Sequence, residues 1–283
     1  MPPPAPPMLS IVEVSKRYAT ADHALPALDR VSFDVRRGEI ITVIGPSGCG
    51  KTTLFNIIGG LLDGYEGKVL VDGRDRAARR QIGMVFQEES NLPWRTTLEN
   101  VALPLQAAGV GRAERLERAR HFVRLVGLEG FEDRYPDELS GGMRQRAAIA
   151  RTLAFEPQIL LMDEPFAALD SQTRLLIGDK VLQIRQALGQ TMLLITHSLT
   201  EAVQLSDRVV VLTQRPARVK RVVAIDLPRP RSSAIVGSAE FARLVGLIWD
   251  ELRDESAPGM LDPERRSDRP EAAAATGPLP GPL

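Results

Sequence analysis

The residues Gly45-Pro46-Ser47-Gly48-Cys49-Gly50-Lys51-Thr52-Thr53 stand between two apolar runs, Ile40-Ile41-Thr42-Val43-Ile44 and Leu54-Phe55-Asn56-Ile57-Ile58. This order reads as strand, glycine loop, helix. A polyphosphate carries several negative charges. Backbone N–H groups at a helix N-terminus meet those charges with the positive end of the helix dipole. Glycines let the backbone close round the phosphates without Cβ clashes. In that geometry Lys51 reaches the β- and γ-phosphates, and the Thr52 hydroxyl is a ligand for Mg²⁺. The stretch therefore predicts a nucleoside triphosphate site. Cys49, the single cysteine of the chain, reads as a small filler of the loop rather than a reactive thiol.

Two further groups bear on the same chemistry. The apolar run Ile159-Leu160-Leu161-Met162 ends in Asp163-Glu164, and Met192-Leu193-Leu194-Ile195-Thr196 ends in His197. Runs of this kind are parallel strands buried on both faces. In an open parallel sheet the ligand lies beyond the carboxyl ends of the strands. Gly45 to Thr53, Gln87 (after Ile82-Gly83-Met84-Val85-Phe86), Asp163, Glu164 and His197 would then gather at one edge. Leu139-Ser140-Gly141-Gly142-Met143-Arg144-Gln145-Arg146 opens a helix with Ser140 as N-cap and two glycines, a second anion-binding start. Capping alone also accounts for the serine. Two such helix starts exceed what one triphosphate needs, which directs the second toward a nucleotide on another copy.

The elements that must position these residues follow from patterning. Leu9 to Lys16 and Val31 to Val35 alternate apolar and polar residues, as half-buried antiparallel strands do. Lys68 to Gly73 is a short strand with its own turn. Residues 97–127 change to helical periodicity, with Leu116, Ala119, Val123 and Val126 on one face and a Glu114–Arg118 pair on the other. The expected fold class is α/β: a P-loop NTPase core with a parallel sheet, an antiparallel β subdomain and an inserted all-helical subdomain at about 91–150. Strands at 208–212 and 219–225 close the sheet, and an amphipathic helix spans Ser238 to Leu252. Residues 1–8 are expected to be a disordered leader, 9–254 the folded domain that carries the nucleotide site, and 255–283 a disordered tail.

Composition narrows the function. The chain has 283 residues with Lys+Arg and Asp+Glu equal at 36 each, so no net field draws it to nucleic acid or an anionic membrane. A lone cysteine excludes a disulfide framework and fits a reducing compartment. No apolar run approaches the roughly 20 residues that span a bilayer, and a signal pattern is absent from the N-terminus. The expectation is a soluble cytosolic polypeptide; work at a membrane would require a partner to hold it there.

The order of these motifs, the glycine loop, then Leu139 to Arg146, then Leu160-Leu161-Met162-Asp163-Glu164-Pro165 and Ala168-Leu169-Asp170, resembles the nucleotide-binding subunit of ATP-binding cassette (ABC) transporters over residues 9–225. The resemblance implies that ATP is hydrolysed with Mg²⁺. Tyr18 would stack on adenine. Gln87 would sense Mg²⁺ and the attacking water, and Asp163 would hold Mg²⁺ through water. Glu164 would orient or deprotonate that water, and His197 would contact the γ-phosphate. Asp170 would lie at a dimer seam, and Ser140, Gly141 and Gly142 of a second copy would close over the ATP. Gln87-Glu88-Glu89, Leu92-Pro93-Trp94-Arg95, Leu227-Pro228-Arg229-Pro230-Arg231 and the apolar face of the last helix resemble the nitrate, sulfonate and taurine import branch. That branch implies a homodimer on the cytoplasmic face of the inner membrane, an integral-membrane permease and an extracytoplasmic solute-binding protein, with no nucleic-acid partner. The surface around Pro93 and Trp94 would receive the permease.

Two other readings are weaker. A cassette acting on DNA or ribosomes would carry a long coiled coil or a second P-loop, and neither is present. A regulatory GTPase would carry an Asn-Lys-x-Asp base-reading element, which is absent.

Overall fold

A computed structural model describes residues 6–19, 24–75, 82–87, 90–167 and 169–260, with backbone alone at 256–260. Most of the leader and the tail from 261 onward lie outside the described residues. Strand pairing nevertheless begins within the expected leader. Met8 is buried, donates its N–H to Val35 O at 2.8 Å and accepts from Asp72 N at 3.0 Å.

The first sheet is antiparallel. Its strands β1 (Leu9–Ala19), β2 (Ala24–Val35), β4 (Glu66–Val71) and β5 (Arg74–Asp75) lie in the order β2-β1-β4-β5. The simple alternation expected for β1 breaks at Glu13, which takes φ 49°. There the register with β2 and with β4 shifts. This bulge turns Val14 inward instead of Glu13, so the inward residues are Leu9, Ile11 and Val14.

The second sheet has the order β10-β9-β3-β8-β7-β6. It comprises β3 (Ile40–Ile44), β6 (Ile82–Val85), β7 (Ile159–Asp163), β8 (Thr191–Ile195), β9 (Arg208–Leu212) and β10 (Val219–Ala224). All neighbours pair in parallel except the edge strand β10. Strands β3, β7 and β8 are buried along their whole length, and their side chains alternate between two cores. Ile41, Val43, Ile159, Leu161, Leu193 and Ile195 pack with Leu54, Phe55, Ile57 and Ile58 of α1 (Lys51–Gly59) and with Ile11, Val31 and Val69 of the first sheet. Leu160, Met162, Met192 and Leu194 pack in the opposite core with the helical segment. A continuous apolar run is thus a strand serving two cores at period two.

That helical segment comprises α2 (Thr97–Ala107), α3 (Arg112–Leu125) and α4 (Gly141–Ala154). Thr96 and Glu99 form a capping box at the start of α2. Ala119, Val123 and Val126 are buried with Leu116 packed against them, and Arg118 pairs with Glu114 at 3.7 Å and Glu156 at 3.0 Å. Arg118 on the arginine-rich face is therefore held by two acids.

The chain then forms α5 (Ser171–Leu188), α6 (Leu199–Leu205) and α7 (Ala239–Met260). Helix α7 runs past the expected end at Leu252. Lys220 holds the added turn through Asp254 Oδ2 at 3.7 Å and Glu255 Oε1 at 3.4 Å. Phe241, Leu244 and Ile248 bury against Val209, Val211 and Val223, whereas Trp249 is exposed. In the arginine-rich link, Arg231 is buried and donates to Leu227 O and Ile225 O. Burial pulls its pKa down to about 10.

Candidate active site

The carboxyl ends of β3, β7 and β8 open onto a cleft of about 480 Å³ lined by Gly45, Ser47, Gly48, Gly50, Lys51, Thr52, Thr53, Glu164, His197 and Arg215. The loop after β3 needs its glycines for space as well as for torsion. Gly50 sits at φ 124°, and a Cβ there would lie 2.9 Å from Leu28 Cδ2 and 3.0 Å from Ala27 O. A side chain at this position would push the loop off β2. Cys49 points into the core, and burial raises its thiol pKa, as suits a filler. Lys51 is mostly buried, and its ammonium donates to Gly45 O and Pro46 O, both at 2.9 Å. Two of its three donors thereby tie the loop to itself and one remains for the cleft.

The acidic side of the cleft is built by the end of β7. Asp163 is buried and accepts a hydrogen bond from the Thr52 hydroxyl. Burial, and next the adjacent Glu164 charge, push its pKa up to about 6 against the opposing pull of Lys51. Glu164 takes φ 44°, an unusual conformation for a residue other than glycine. Its N–H donates to Ile195 O at 2.8 Å. The turn swings its carboxylate toward β8, where Oε2 lies 3.1 Å from His197 Nδ1.

The remaining residues singled out from sequence lie elsewhere. Tyr18 is half-buried on β1 and its hydroxyl shares a 3.2 Å hydrogen bond with Thr53 Oγ1, so it touches the loop without lining the cleft. Lys16 lies over its ring at 5.5 Å. Gln87 follows edge strand β6 as an exposed residue and does not line the cleft. Ser140 caps α4 by accepting from Met143 N at 3.3 Å. Asp170 caps α5 by accepting from Gln172 N at 3.1 Å and Thr173 N at 3.0 Å. Hydrogen bonds from Thr173 hold the Asp170 carboxyl below its ordinary pKa. A Cβ on Gly142 would lie 3.1 Å from Thr173 Cγ2, so the first turns of α4 and α5 touch. Ser140, Gly141, Gly142 and Asp170 thus form a second pole, none of it in the cleft lining.

Comparison with known proteins decides the family. Residues 28–167 match the family described as ABC transporter. The taurine import ATP-binding protein TauB of Rhizobium johnstonii is 46% identical over 84% of this chain and 89% of its own. The chain belongs to the ABC transporter family. The nitrate transport protein NasD of Klebsiella oxytoca is 44% identical over 80% of the cassette and 88% of its own length. A solved dimeric bacterial ABC transporter cassette superposes with a TM-score of 0.70 at 35% identity, covering 78% of this chain and all of that one.

In this ABC ATPase the cleft joins the loop after β3 to the ends of β7 and β8. Arg215, in the turn between β9 and β10, escaped motif reasoning although it lines the cleft. It lies 164 positions beyond Lys51 in sequence, and no spacing rule connects the two. Trp94, expected at a surface, is 71% exposed.

Proposed function

We propose that two copies of this cassette, seated on an integral-membrane permease, hydrolyse ATP to import a small solute of the nitrate, sulfonate or taurine class. The observation that carries this reading is the split arrangement: Lys51, Glu164 and His197 share one cleft, while Ser140, Gly141 and Gly142 stand outside it. A helix start with exposed backbone N–H groups and no phosphate of its own fits the nucleotide of a second copy.

The roles then follow. Gly45, Pro46, Ser47, Gly48, Cys49 and Gly50 supply backbone to the phosphates, Lys51 binds the β- and γ-phosphates, and Tyr18 stacks on the base above Thr53. Glu164 Oε2 takes a proton from, or orients, the attacking water, while His197 holds Glu164 and reaches the γ-phosphate. Gln87 would join the site as the helical segment moves, and Asp170 lies at the seam between copies. The oxygen donors of Asp163 and Thr52, already in contact, fit Mg²⁺, which favours oxygen ligands and one or two carboxylates. When bound there, Mg²⁺ supplies positive charge to the phosphate oxygens. The work of the site is positioning and charge stabilisation rather than covalent chemistry.

No helix among the described residues is long and apolar enough to cross a membrane, so this reading makes the subunit peripheral, on the cytoplasmic face. A groove of about 610 Å³ beside Trp94, walled by Arg95, Glu99, Arg112 and Arg115, is the candidate seat for the permease. Solute specificity would rest with the permease and an extracytoplasmic binding protein. Co-expression with a candidate permease of the nitrate, sulfonate or taurine import class tests the reading. The expected result is a membrane complex whose ATPase activity rises when solute-loaded binding protein is added. Co-purification with ribosomes or DNA in place of a permease would overturn it.

A further inference from the structure

We infer that Arg215 is a nucleotide-contacting residue, a second cation for the polyphosphate brought into the cleft by the turn between β9 and β10. The inference rests on the ATP-binding reading of the cleft and extends it to a residue outside the motifs. Apart from Arg215, the one full cation among the described residues lining the cleft is Lys51, and the Glu164 carboxylate lines the same cleft. Asp163 and Glu164 stand at one end of it, and Lys51 spends two of its donors on Gly45 O and Pro46 O. A triphosphate adds several further charges. Arg215 lines the same cleft with an exposed side chain, and among the described residues no hydrogen bond or ion pair engages its guanidinium. A guanidinium offers five donors in a planar fork that matches phosphate oxygens.

The turn carrying Arg215 is anchored on both sides of it. Upstream, Gln214 N donates to Glu255 Oε2 at 3.0 Å, and the Gln214 side chain donates to Glu255 O. Downstream, Asp29 N donates to Ala217 O at 3.0 Å, and the Arg218 guanidinium pairs with the Asp29 carboxylate. The turn closes on itself as Thr213 N donates to Arg218 O at 3.0 Å. The strand leading into it abuts the phosphate loop, because a Cβ on Gly45 would lie 3.1 Å from Leu212 Cβ. The backbone of Arg215 is therefore preset by α7 on one side and β2 on the other. Only its side-chain torsions need be fixed when ligand binds, which lowers the entropic cost of the contact.

The test is equilibrium dialysis of ATP, in EDTA so that metal does not contribute, against the full-length wild type, Arg215→Ala, Arg215→Lys and Lys51→Ala. Loss of one charge-assisted hydrogen bond should weaken ATP binding by about tenfold in Arg215→Ala. Arg215→Lys should recover part of it, and the difference should shrink at high salt. The exposed position predicts an unchanged Tm. Wild-type ATP affinity in Arg215→Ala, alongside loss in Lys51→Ala, would overturn the inference and leave the nucleotide site standing. Wild-type affinity in Lys51→Ala as well would remove the nucleotide reading itself. If Arg215→Ala binds ATP normally but no longer forms an ATP-held dimer, its partner is the second copy and the inference fails.

Discussion

His197 Nδ1 and Glu164 Oε2 lie 3.1 Å apart across the ends of two adjacent parallel strands. The contact exists because Glu164 takes φ 44° as it leaves β7 and His197 follows directly on β8. A histidine so placed restrains the carboxylate and, in the proposed reading, meets only the terminal γ-phosphate, leaving most of the phosphate contacts to the loop after β3. His197→Ala should therefore cut turnover sharply and leave the ATP dissociation constant nearly unchanged. Parallel measurement of steady-state hydrolysis and ATP binding checks this. Equal losses in both would mean that His197 is part of the binding surface instead.

Glu164→Gln keeps the shape of the side chain and removes its charge. Hydrolysis should fall by about 10²- to 10³-fold while ATP still binds, so an ATP-held dimer should accumulate on a sizing column. Turnover near wild type would exclude Glu164 as the group that handles the water.

Asp163 ties stability to pH. Its pKa is raised from the ordinary 3.8 to about 6 by burial and by Glu164. Between those values the folded chain keeps a proton that the unfolded chain has released. The contribution of Asp163 to stability is therefore largest below the ordinary value and is lost as pH rises through about 6. Asp163→Asn should raise the Tm of the nucleotide-free protein at neutral pH and flatten its dependence on pH across this window, at the expense of Mg²⁺-dependent hydrolysis. Thermal melts of both proteins from pH 4 to 7 provide the comparison, and parallel slopes would contradict it.

Ser140 has a structural task and a proposed functional one, which two substitutions separate. Ser140→Ala loses the cap on α4 and should destabilise by about 1 kcal/mol. Ser140→Asp preserves a good N-cap, so its Tm should stay close to wild type. Its carboxylate would face the γ-phosphate of the other copy, and hydrolysis should collapse. Full activity of Ser140→Asp at saturating ATP would argue against pairing of the signature helix with a second nucleotide.

Away from the cleft, Arg208 clamps Glu39 with hydrogen bonds of 2.5 and 2.9 Å and donates to Asp34 O at 2.7 Å, joining β9 to the chain entering β3. Glu39 is 7% exposed. Arg208→Ala leaves that carboxylate buried without its cation and should cost about 3 kcal/mol, read from denaturant unfolding. Arg208→Lys should recover little because a lysine cannot reproduce the two-pronged contact. The double variant Arg208→Ala with Glu39→Gln should regain part of the loss.

Much of the site could be read along the chain because phosphate chemistry demands particular residue types at fixed local spacings. Gly50, Lys51 and Thr52 are neighbours whichever fold surrounds them, and Asp163-Glu164 follows the apolar run of its own strand. Ser140 and Asp170 cap helices through bonds to residues two or three positions away. The strands β3, β7 and β8 announce themselves as apolar runs because both of their faces are covered.

What lay beyond reach depended on contacts distant in sequence. The bulge at Glu13 accompanies pairing with two different strands, and the extension of α7 is held by Lys220 and Gln214. Sequence by itself singled out Lys51, Glu164 and His197, which share one cleft, since those groups are encoded within single loops and strand ends. Only the tertiary structure decided that Arg215 shares the cleft with Lys51 and that Ser140 does not. Both outcomes follow from sheet order: pairing of β9 with β3 carries the turn that holds Arg215 to the phosphate loop. Packing of α4 against α5 keeps Ser140, Gly141 and Gly142 out of the lining of that cleft.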